Sequence, residues 1–301
     1  MEQNSTLHKG SAWTLLLQGF MDWLTLLNYS PLSIPVITQA VQYFIQHLLV
    51  DNKTSVEQLT ATDATKYLQH LKTTVGKRTG RPLSGAHLNK QVQALKLFSK
   101  YLRQTGSSPV GFALAREPEN KSKPQYLTQA DIESLYEVIP DSVLGVRDRA
   151  MLAVFYGCGL RLNEGASVEL KDILHERKLL HVRKGKRSKE RLVPMAEKSY
   201  QAIRFYLDYG RPQLLQDKPT DALFIDANKG RPMQRQSLYI RIKALAKRAK
   251  IKKKVGTHTL RHSIATHLLQ SGMPLERIQQ FLGHADLDST QIYTHLKNDP
   301  P

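Results

Sequence analysis

A charged segment with two prolines divides the chain into parts with different patterning. This segment, AREPENKSKPQYLTQAD, covers residues 115–131 and interrupts the helical spacing of apolar residues before it. Thr128, followed three residues later by Asp131, has the spacing of a capping box and predicts a helix start. A chain of 301 residues is long enough for two domains. We therefore predict a helical domain over 1–114, a linker over 115–126 and a second domain over 127–301.

The charge of the chain indicates the kind of partner. A net charge of +18 favours a polyanion, because each neutralised phosphate releases a condensed counterion. The sequence has neither an apolar run of membrane-spanning length nor the pattern of a signal peptide. We expect a cytoplasmic protein that binds nucleic acid and no membrane. The single cysteine, Cys158, lies among apolar residues, so we expect a buried, unreactive thiol and no cysteine-based metal site.

The first part has the apolar spacing of four helices, predicted over 13–27, 31–50, 61–75 and 83–106. Ser30 before Pro31 predicts the start of the second helix, and Gly106 predicts the end of the fourth. The polar face of the fourth helix carries basic side chains, which are either a solvated surface or contacts to a DNA groove: Lys90, Lys96, Lys100 and Arg103.

The second part mixes helices with a short hairpin. The strand-like segments KLLHV (178–182) and RLVPM (191–195) flank a basic stretch, RKGKRSKE. The whole chain is therefore predicted to be mainly α with a small β-sheet, an α+β fold. Its remaining elements are a short helix from Leu160 and helices over 128–138, 144–156, 196–209, 234–250, 258–270, 274–282 and 289–296.

Two groups of polar residues stand out in the second part. Arg161 lies among apolar residues in GCGLRLNE, where a guanidinium needs a partner, and Glu164 can hold it from the same helix face. Such an arginine is either structural or a rigid clamp for a phosphate. His258, Arg261 and His262 share the first turn of a predicted helix, whose free N–H groups also favour phosphate. Taken alone, this second group would be a surface ion cluster.

Other polar residues of the second part give weaker evidence of a functional site when each is taken alone. His267 falls near the apolar stripe of its helix and is predicted to be packed or half-exposed. His284 follows Gly283 at a helix end, and Tyr293 lies nine residues later, where a core tyrosine is the alternative. In the hairpin, one lysine could donate a proton within a minor groove, while the other cations contact phosphates or are solvated.

These residue types together suit phosphoryl transfer to a tyrosine hydroxyl. The phenol, whose pKa is about 10, loses its proton as it attacks. Two guanidiniums stabilise the charge on the phosphate oxygens, a histidine moves a proton, and a lysine protonates the departing 5′ oxygen. The phosphotyrosyl bond keeps the energy needed for rejoining, so we expect no metal and no cofactor.

The order of these residues resembles that of the tyrosine recombinase (phage integrase) family, and the wording is closest to Xer-type recombinases. The resemblance rests on GCGLRLNE, KERLVPM, HTLRHSIATHLL and LGHADLDSTQIYTH, and it covers residues 157–296. The helical first part is similar in length and layout to the family's core-binding domain. The resemblance implies a C-shaped clamp around DNA and a homo-tetramer on two specific recombination sites. It also implies a Holliday junction and leaves room for an accessory protein or a partner recombinase.

The resemblance also implies roles for individual residues. Arg161 and Arg261 would bind the scissile phosphate, with His258 and His284 hydrogen-bonding it or moving protons. Tyr293 would form a 3′-phosphotyrosyl link. Lys184 would be the general acid, and Glu164 would hold Arg161. The predicted DNA contacts outside this set are Lys90, Lys96, Arg103, Arg183, Lys186, Arg187 and Lys189.

The sequence departs from the family pattern in two places. The hairpin tip is one residue longer, which leaves Lys186 and Lys189 as alternatives for the role of Lys184. Only eight residues follow Tyr293, where relatives commonly carry a further helix that docks on a neighbouring protomer. We therefore expect either a shortened chain or protomers coupled through another surface.

Three other functions use overlapping residues. A type IB topoisomerase-like enzyme would nick and close DNA with nearly the same residue set. A metal-dependent nuclease would bind zinc through His258, His262 and His284, although no acidic residue lies close by to act as a general base. A catalytically inactive DNA-binding module is the third alternative.

The charge leads to a prediction about salt. The affinity for double-stranded DNA should fall steeply between about 50 and 200 mM salt, with a log–log slope of roughly 0.9 per phosphate contact. A binding titration across this range measures the slope. A flat salt dependence would contradict a protein that surrounds the DNA with phosphate contacts.

Overall fold

The computed structural model describes residues 12–76, 80–118, 125–183, 190–215, 219–228 and 230–283. The chain forms two compact units, residues 1–122 and 123–301, and the division falls inside the charged segment 115–131. The helix predicted over 289–296 lies outside the described residues.

Helices make up the described part of the first unit, apart from a single 3₁₀ turn (Val56–Gln58) and an isolated β-bridge. Phe20, Phe44 and Phe98 are fully buried between the helices, and the rings of Phe20 and Phe98 meet edge to face at 5.3 Å. This aromatic core explains why the predicted apolar stripes form a bundle. The four helices are α1 (Ala12–Leu26), α2 (Ile34–Val50), α3 (Asp63–Thr73) and α4 (Gly85–Gln104).

The start of α2 differs from the prediction. Ser30 caps a turn that precedes the helix: its Oγ accepts a hydrogen bond from the Leu32 amide at 3.3 Å, and its carbonyl accepts from the Ser33 amide at 2.7 Å. The helix itself begins at Ile34, with Pro35 in its first turn, and the side chain of Ser33 makes no capping hydrogen bond. Ile34 is buried, whereas Leu32 in the preceding turn is 67% exposed.

The second unit combines helices with one small antiparallel sheet. The sheet has the order β1 (Ile173–Leu174), β2 (Leu179–Val182) and β3 (Arg191–Pro194), and Val182 pairs with Arg191 at the base of the hairpin. The two hairpin strands confirm the prediction, while the two-residue β1 is too short to leave a periodic signal. The α-helices of its described part are α5 (Gln129–Glu137), α6 (Val143–Leu152), α7 (Leu162–Ala166), α8 (Glu197–Phe205), α9 (Arg211–Leu214), α10 (Arg235–Arg248), α11 (Thr257–Gln270) and α12 (Leu275–Leu282).

Several local signals in the sequence are confirmed. Thr128 Oγ1 accepts a hydrogen bond from the Asp131 amide at 3.1 Å, and the Asp131 carboxylate accepts one from the Thr128 amide at 2.9 Å. Gly106 and Gly283 have φ angles of 70° and 65°, the left-handed conformation that ends α4 and α12. Burial raises the pKa of the Cys158 thiol to about 12, as expected for an unreactive core cysteine.

Two of the helices are extended by π-helical turns. One turn of π-helix (Ala153–Gly157) continues α6, and another (Tyr206–Gly210) joins α8 to α9. Apolar spacing alone cannot predict these turns, because a π-turn adds one residue to a helical repeat. Among the described residues, no helix combines the length and apolar composition that a membrane span requires.

Close packing between α7 and the first π-turn yields a stability prediction. A Cβ atom at Gly165 would lie 2.4 Å from Cε1 of Phe155, a fully buried ring stacked on Phe224. Gly165→Ala should therefore lower the free energy of unfolding by about 1–3 kcal/mol, the usual cost of overpacking. Chemical denaturation measures the change. Gly111→Ala is the control, because no atom lies within 4 Å of its added Cβ, and an equal effect there would contradict the packing argument.

Candidate active site

A cavity of about 1180 Å³ in the second unit brings several predicted site residues together. Arg161 and Glu164 line it from the start of α7, Arg183 from the end of β2, and His258 from the first turn of α11. Thus residues nearly one hundred positions apart in the chain face one space.

The carboxylate of Glu164 holds Arg161 in two ways. Oε1 accepts a hydrogen bond from Nη1 of Arg161 at 2.8 Å, and Oε2 accepts one from the Arg161 backbone amide at 2.9 Å. The same carboxylate therefore caps α7 and orients the guanidinium. Glu164 is buried, while the side chain of Arg161 is 30% exposed. This geometry is consistent with the role that the sequence assigned to Glu164.

A second arginine, Arg191, forms a forked pair with the same carboxylate. Its Nη2 lies 3.0 Å from Oε2 of Glu164 and its Nη1 lies 3.3 Å from Oε1, while Nε donates to the Phe281 carbonyl at 2.9 Å. The side chain is only 6% exposed. Arg191 is not among the site residues predicted from the sequence. Its signal is the strand period of two, which puts Arg191 on the same face of β3 as the buried Val193.

Arg261 approaches the same carboxylate from α11. Its Nη1 donates to the Gly159 carbonyl at 2.6 Å and its Nη2 donates to the Leu282 carbonyl at 2.5 Å. Nη1 also lies 3.8 Å from Oε2 of Glu164. Arg261 is a buried residue and not part of a surface ion cluster.

The charges of the site affect its titratable groups. Burial opposes ionisation of Glu164, but the hydrogen bond and charge of Arg191, followed by the hydrogen bonds from Arg161, lower its pKa to about 2. The pKa of His258 is lowered by desolvation, then by the charges of Arg261 and Arg161. Burial, followed by the charges of His258 and Arg261, also lowers the pKa of His262. At neutral pH the site therefore contains an anionic carboxylate, cationic arginines and a neutral His258.

The remaining predicted residues fall into four groups. His267 is packed as expected, and its Nδ1 lies 2.9 Å from the Tyr156 hydroxyl. Arg183 pairs with Glu169 at 3.1 Å and with Asp172 at 3.0 Å, so it braces the base of the hairpin. On α4 of the first unit, Lys90, Lys96 and Arg103 are exposed. The predicted residues that lie outside the described part of the chain are Lys184, Lys186, Arg187, Lys189, His284 and Tyr293.

The described residues include two of the three histidines that the zinc alternative would use as ligands. Among them, no group of three or more histidine, cysteine, aspartate or glutamate side chains is arranged to hold a metal ion. His258 and His262, two of the three ligands in the zinc alternative, are described, and the third, His284, is not.

The sequence and the fold of the chain are similar to those of known proteins. The sequence profile of the Phage integrase family matches residues 125–299. The tyrosine recombinase XerD of Pseudomonas putida is 46% identical over 178 residues, which are 58% of this chain and 59% of the relative. The tyrosine recombinase XerC of Anoxybacillus flavithermus is 31% identical over 277 residues, 90% of this chain and 89% of the relative. The chain belongs to the phage integrase family.

A solved structure supports the fold. The XerH site-specific recombinase bound to palindromic difH substrate, in a post-cleavage complex, has a TM-score of 0.71 and 23% identity. That likeness covers 90% of this chain and 78% of the XerH chain. The alignments to the XerD proteins of Pseudomonas putida and Proteus mirabilis span 59% and 64% of the length of those relatives.

The buried carboxylate leads to a prediction about acid stability. Because the pKa of Glu164 is about 2 in the folded chain and its ordinary value is 4.5, its charged form stabilises the fold above about pH 4.5. This contribution is lost as the pH falls towards 2. Glu164→Gln should lower the free energy of unfolding at pH 7 by about 3–5 kcal/mol, the cost of leaving buried guanidinium charge unpaired.

Denaturant titrations between pH 7 and pH 3 check this result, and the difference between the two proteins should shrink below about pH 4.5. Glu133→Gln, an exposed position on α5, is the control and should change stability little. A constant difference across the pH range would show that the charge of Glu164 is not responsible.

Proposed function

We propose that this chain is a site-specific DNA recombinase that cleaves and rejoins DNA through a 3′-phosphotyrosyl intermediate. One observation carries the proposal: Arg161 and His258 line one cavity, and the buried carboxylate that holds Arg161 is also approached by Arg261. Two oriented guanidiniums suit the extra negative charge of a pentacoordinate phosphate. The family membership and the relatives called tyrosine recombinases support the same activity.

The proposed reaction has two balanced steps. The Tyr293 oxygen attacks the phosphorus atom, and its proton passes to neutral His258 or to His284. The bond between phosphorus and the 5′ oxygen breaks, and Lys184 protonates that oxygen. A 5′ hydroxyl of the partner strand then attacks the phosphorus atom and returns a proton to Lys184, the bond between phosphorus and the Tyr293 oxygen breaks, and the phenol recovers its proton from the histidine. Because the phosphate ester is conserved, the reaction needs neither a nucleotide nor a metal ion.

The proposal extends to the assembly. We propose that the helical domain (1–114) and the catalytic domain (127–301), joined by the linker (115–126), both bind double-stranded DNA. The predicted basic residues on α4 and in the hairpin would contact the phosphates. Four protomers on two recombination sites would exchange strands through a Holliday junction in the cytoplasm, with or without a partner recombinase or accessory protein.

A covalent-capture experiment tests the nucleophile. The probe is a library of nicked duplexes with randomised sequence, in which cleavage releases a short fragment and traps the protein on DNA. We expect the native chain to form adducts that survive denaturation, and sequencing the trapped DNA identifies the site. Tyr293→Phe should abolish these adducts and leave the affinity for the selected duplex unchanged, because only the attacking oxygen is removed.

Tyr209→Phe is the matched control, since Tyr209 is an exposed tyrosine of the same unit, and it should behave like the native chain. Adducts that persist in Tyr293→Phe would refute the assignment of the nucleophile. Adduct formation that stops when a chelator is added would favour the metal-dependent nuclease. Two selected sites on separate DNAs should yield recombinants, whereas relaxation of supercoils without recombinants would favour a type IB topoisomerase-like enzyme.

A further inference from the structure

We infer that Arg191 is a positioning residue, which orients the phosphate-binding arginines by locking the carboxylate of Glu164. This inference rests on the proposed function, because it assigns a task within that site. Arg191 is almost fully buried, and all three of its guanidinium nitrogens are engaged, two by Glu164 and one by the Phe281 carbonyl. Any effect on the reaction must therefore pass through another residue.

The hydrogen-bond geometry shows how the carboxylate is locked. Each oxygen of Glu164 has one contact to the Arg191 fork and a second contact to Arg161. A carboxylate held at both oxygens by a planar guanidinium cannot rotate about its terminal bond without breaking two hydrogen bonds. Its remaining lone pairs then point in fixed directions, towards Nη1 and the backbone amide of Arg161. Lysine has the charge of arginine but not the planar fork, so it could not replace this function.

The third nitrogen of Arg191 connects β3 to the end of α12. Nε donates to the Phe281 carbonyl, while the neighbouring Leu282 carbonyl accepts from Arg261. Gly283, next in sequence, fits closely against the arginine: a Cβ atom there would lie 2.9 Å from Cδ and Nη1 of Arg191. Arg191 thus fixes both a carboxylate that contacts the two catalytic arginines and a backbone segment that contacts one of them.

Charge alone does not explain the arrangement. Three guanidiniums surround one carboxylate, so the local charge without ligand is positive. A single cationic partner would suffice to compensate the charge of Glu164. Arg161 already provides one, because its Nη1 lies 2.8 Å from Oε1 of Glu164. The additional buried arginine increases the positive charge, which suits a site that receives an anion, and adds the directional constraint. An arrangement that exists before the substrate binds needs little reorganisation when it reacts.

The decisive variant keeps the charge of Arg191 and removes its fork. On the nicked duplex that the covalent capture selects, Arg191→Lys should bind DNA about as tightly as the native chain. It should form the covalent adduct roughly 10- to 100-fold more slowly in single turnover, because the catalytic arginines lose their orientation. Arg241→Lys is the matched control: Arg241 also makes a forked contact with a buried carboxylate, through Nε and Nη2 to Asp148, away from the cavity. It should keep the native rate.

A double variant tests whether Arg191 acts through Glu164. In the Glu164→Gln background, Arg191→Met should slow adduct formation by less than about twofold further, because the coupled partner is already lost. The double variant has no buried carboxylate without a partner. It therefore tests the inference even if Arg191→Lys does not fold. A crystal structure of Arg191→Lys without DNA adds a readout that is independent of activity. In it, the Arg161 guanidinium should have moved from its contact with Oε1 of Glu164.

The inference would be overturned by a native cleavage rate in Arg191→Lys, by an equal loss of rate in Arg241→Lys, or by an unmoved Arg161 in the crystal structure. A double variant much slower than Glu164→Gln would also overturn it, since Arg191 would then act by another route. If the native chain forms no adduct with any duplex, the proposed function fails. The position of Arg161 in the variant structure still decides the inference in that case.

Discussion

The buried carboxylate of Glu164 is the interaction on which the site depends. It accepts hydrogen bonds from a side chain and a backbone amide at the start of α7, a forked pair from β3, and lies within 4 Å of a guanidinium from α11. A carboxylate removed from water is costly unless its oxygens are paired. Of these partners, Arg161 lines the cavity, whereas Arg191 and Arg261 lie buried behind it. The same contacts that compensate the buried charge therefore also hold Arg161 at the cavity wall.

The backbone around this carboxylate has a conformation in which its carbonyl groups can accept hydrogen bonds from the arginine side chains. The π-turn after α6 leads to Gly159, whose φ of 62° turns its carbonyl to a position where Arg261 can donate to it. A Cβ at Gly159 would come within 2.9 Å of Leu282, so the close approach of α12 requires glycine there. The arginine side chains therefore bridge elements through carbonyl groups, and the positions of these groups are set by tight backbone packing.

Much of the fold could be predicted from local signals. Apolar stripes indicate most of the helices, and Thr128 with Asp131 marks the start of α5 because a capping box is a contact between neighbours in sequence. Three features could not be predicted, because they leave no regular spacing of apolar residues in the sequence. They are the two-residue β1, the π-turns, and the start of α2 after Ser33 instead of after Ser30. Burial against other elements decides each of these.

The same distinction applies to the candidate site. The sequence by itself determined which residue types are present, their order, and the pairing of Arg161 with Glu164, which are one helical turn apart. Only the tertiary structure decided that Arg191 and Arg261 approach the same carboxylate, and that Arg183 is engaged by Glu169 and Asp172 at the base of the hairpin. These contacts join residues separated by up to about a hundred positions, and no local periodicity encodes them. They follow from the packing of α7, β3 and α11 around one buried charge.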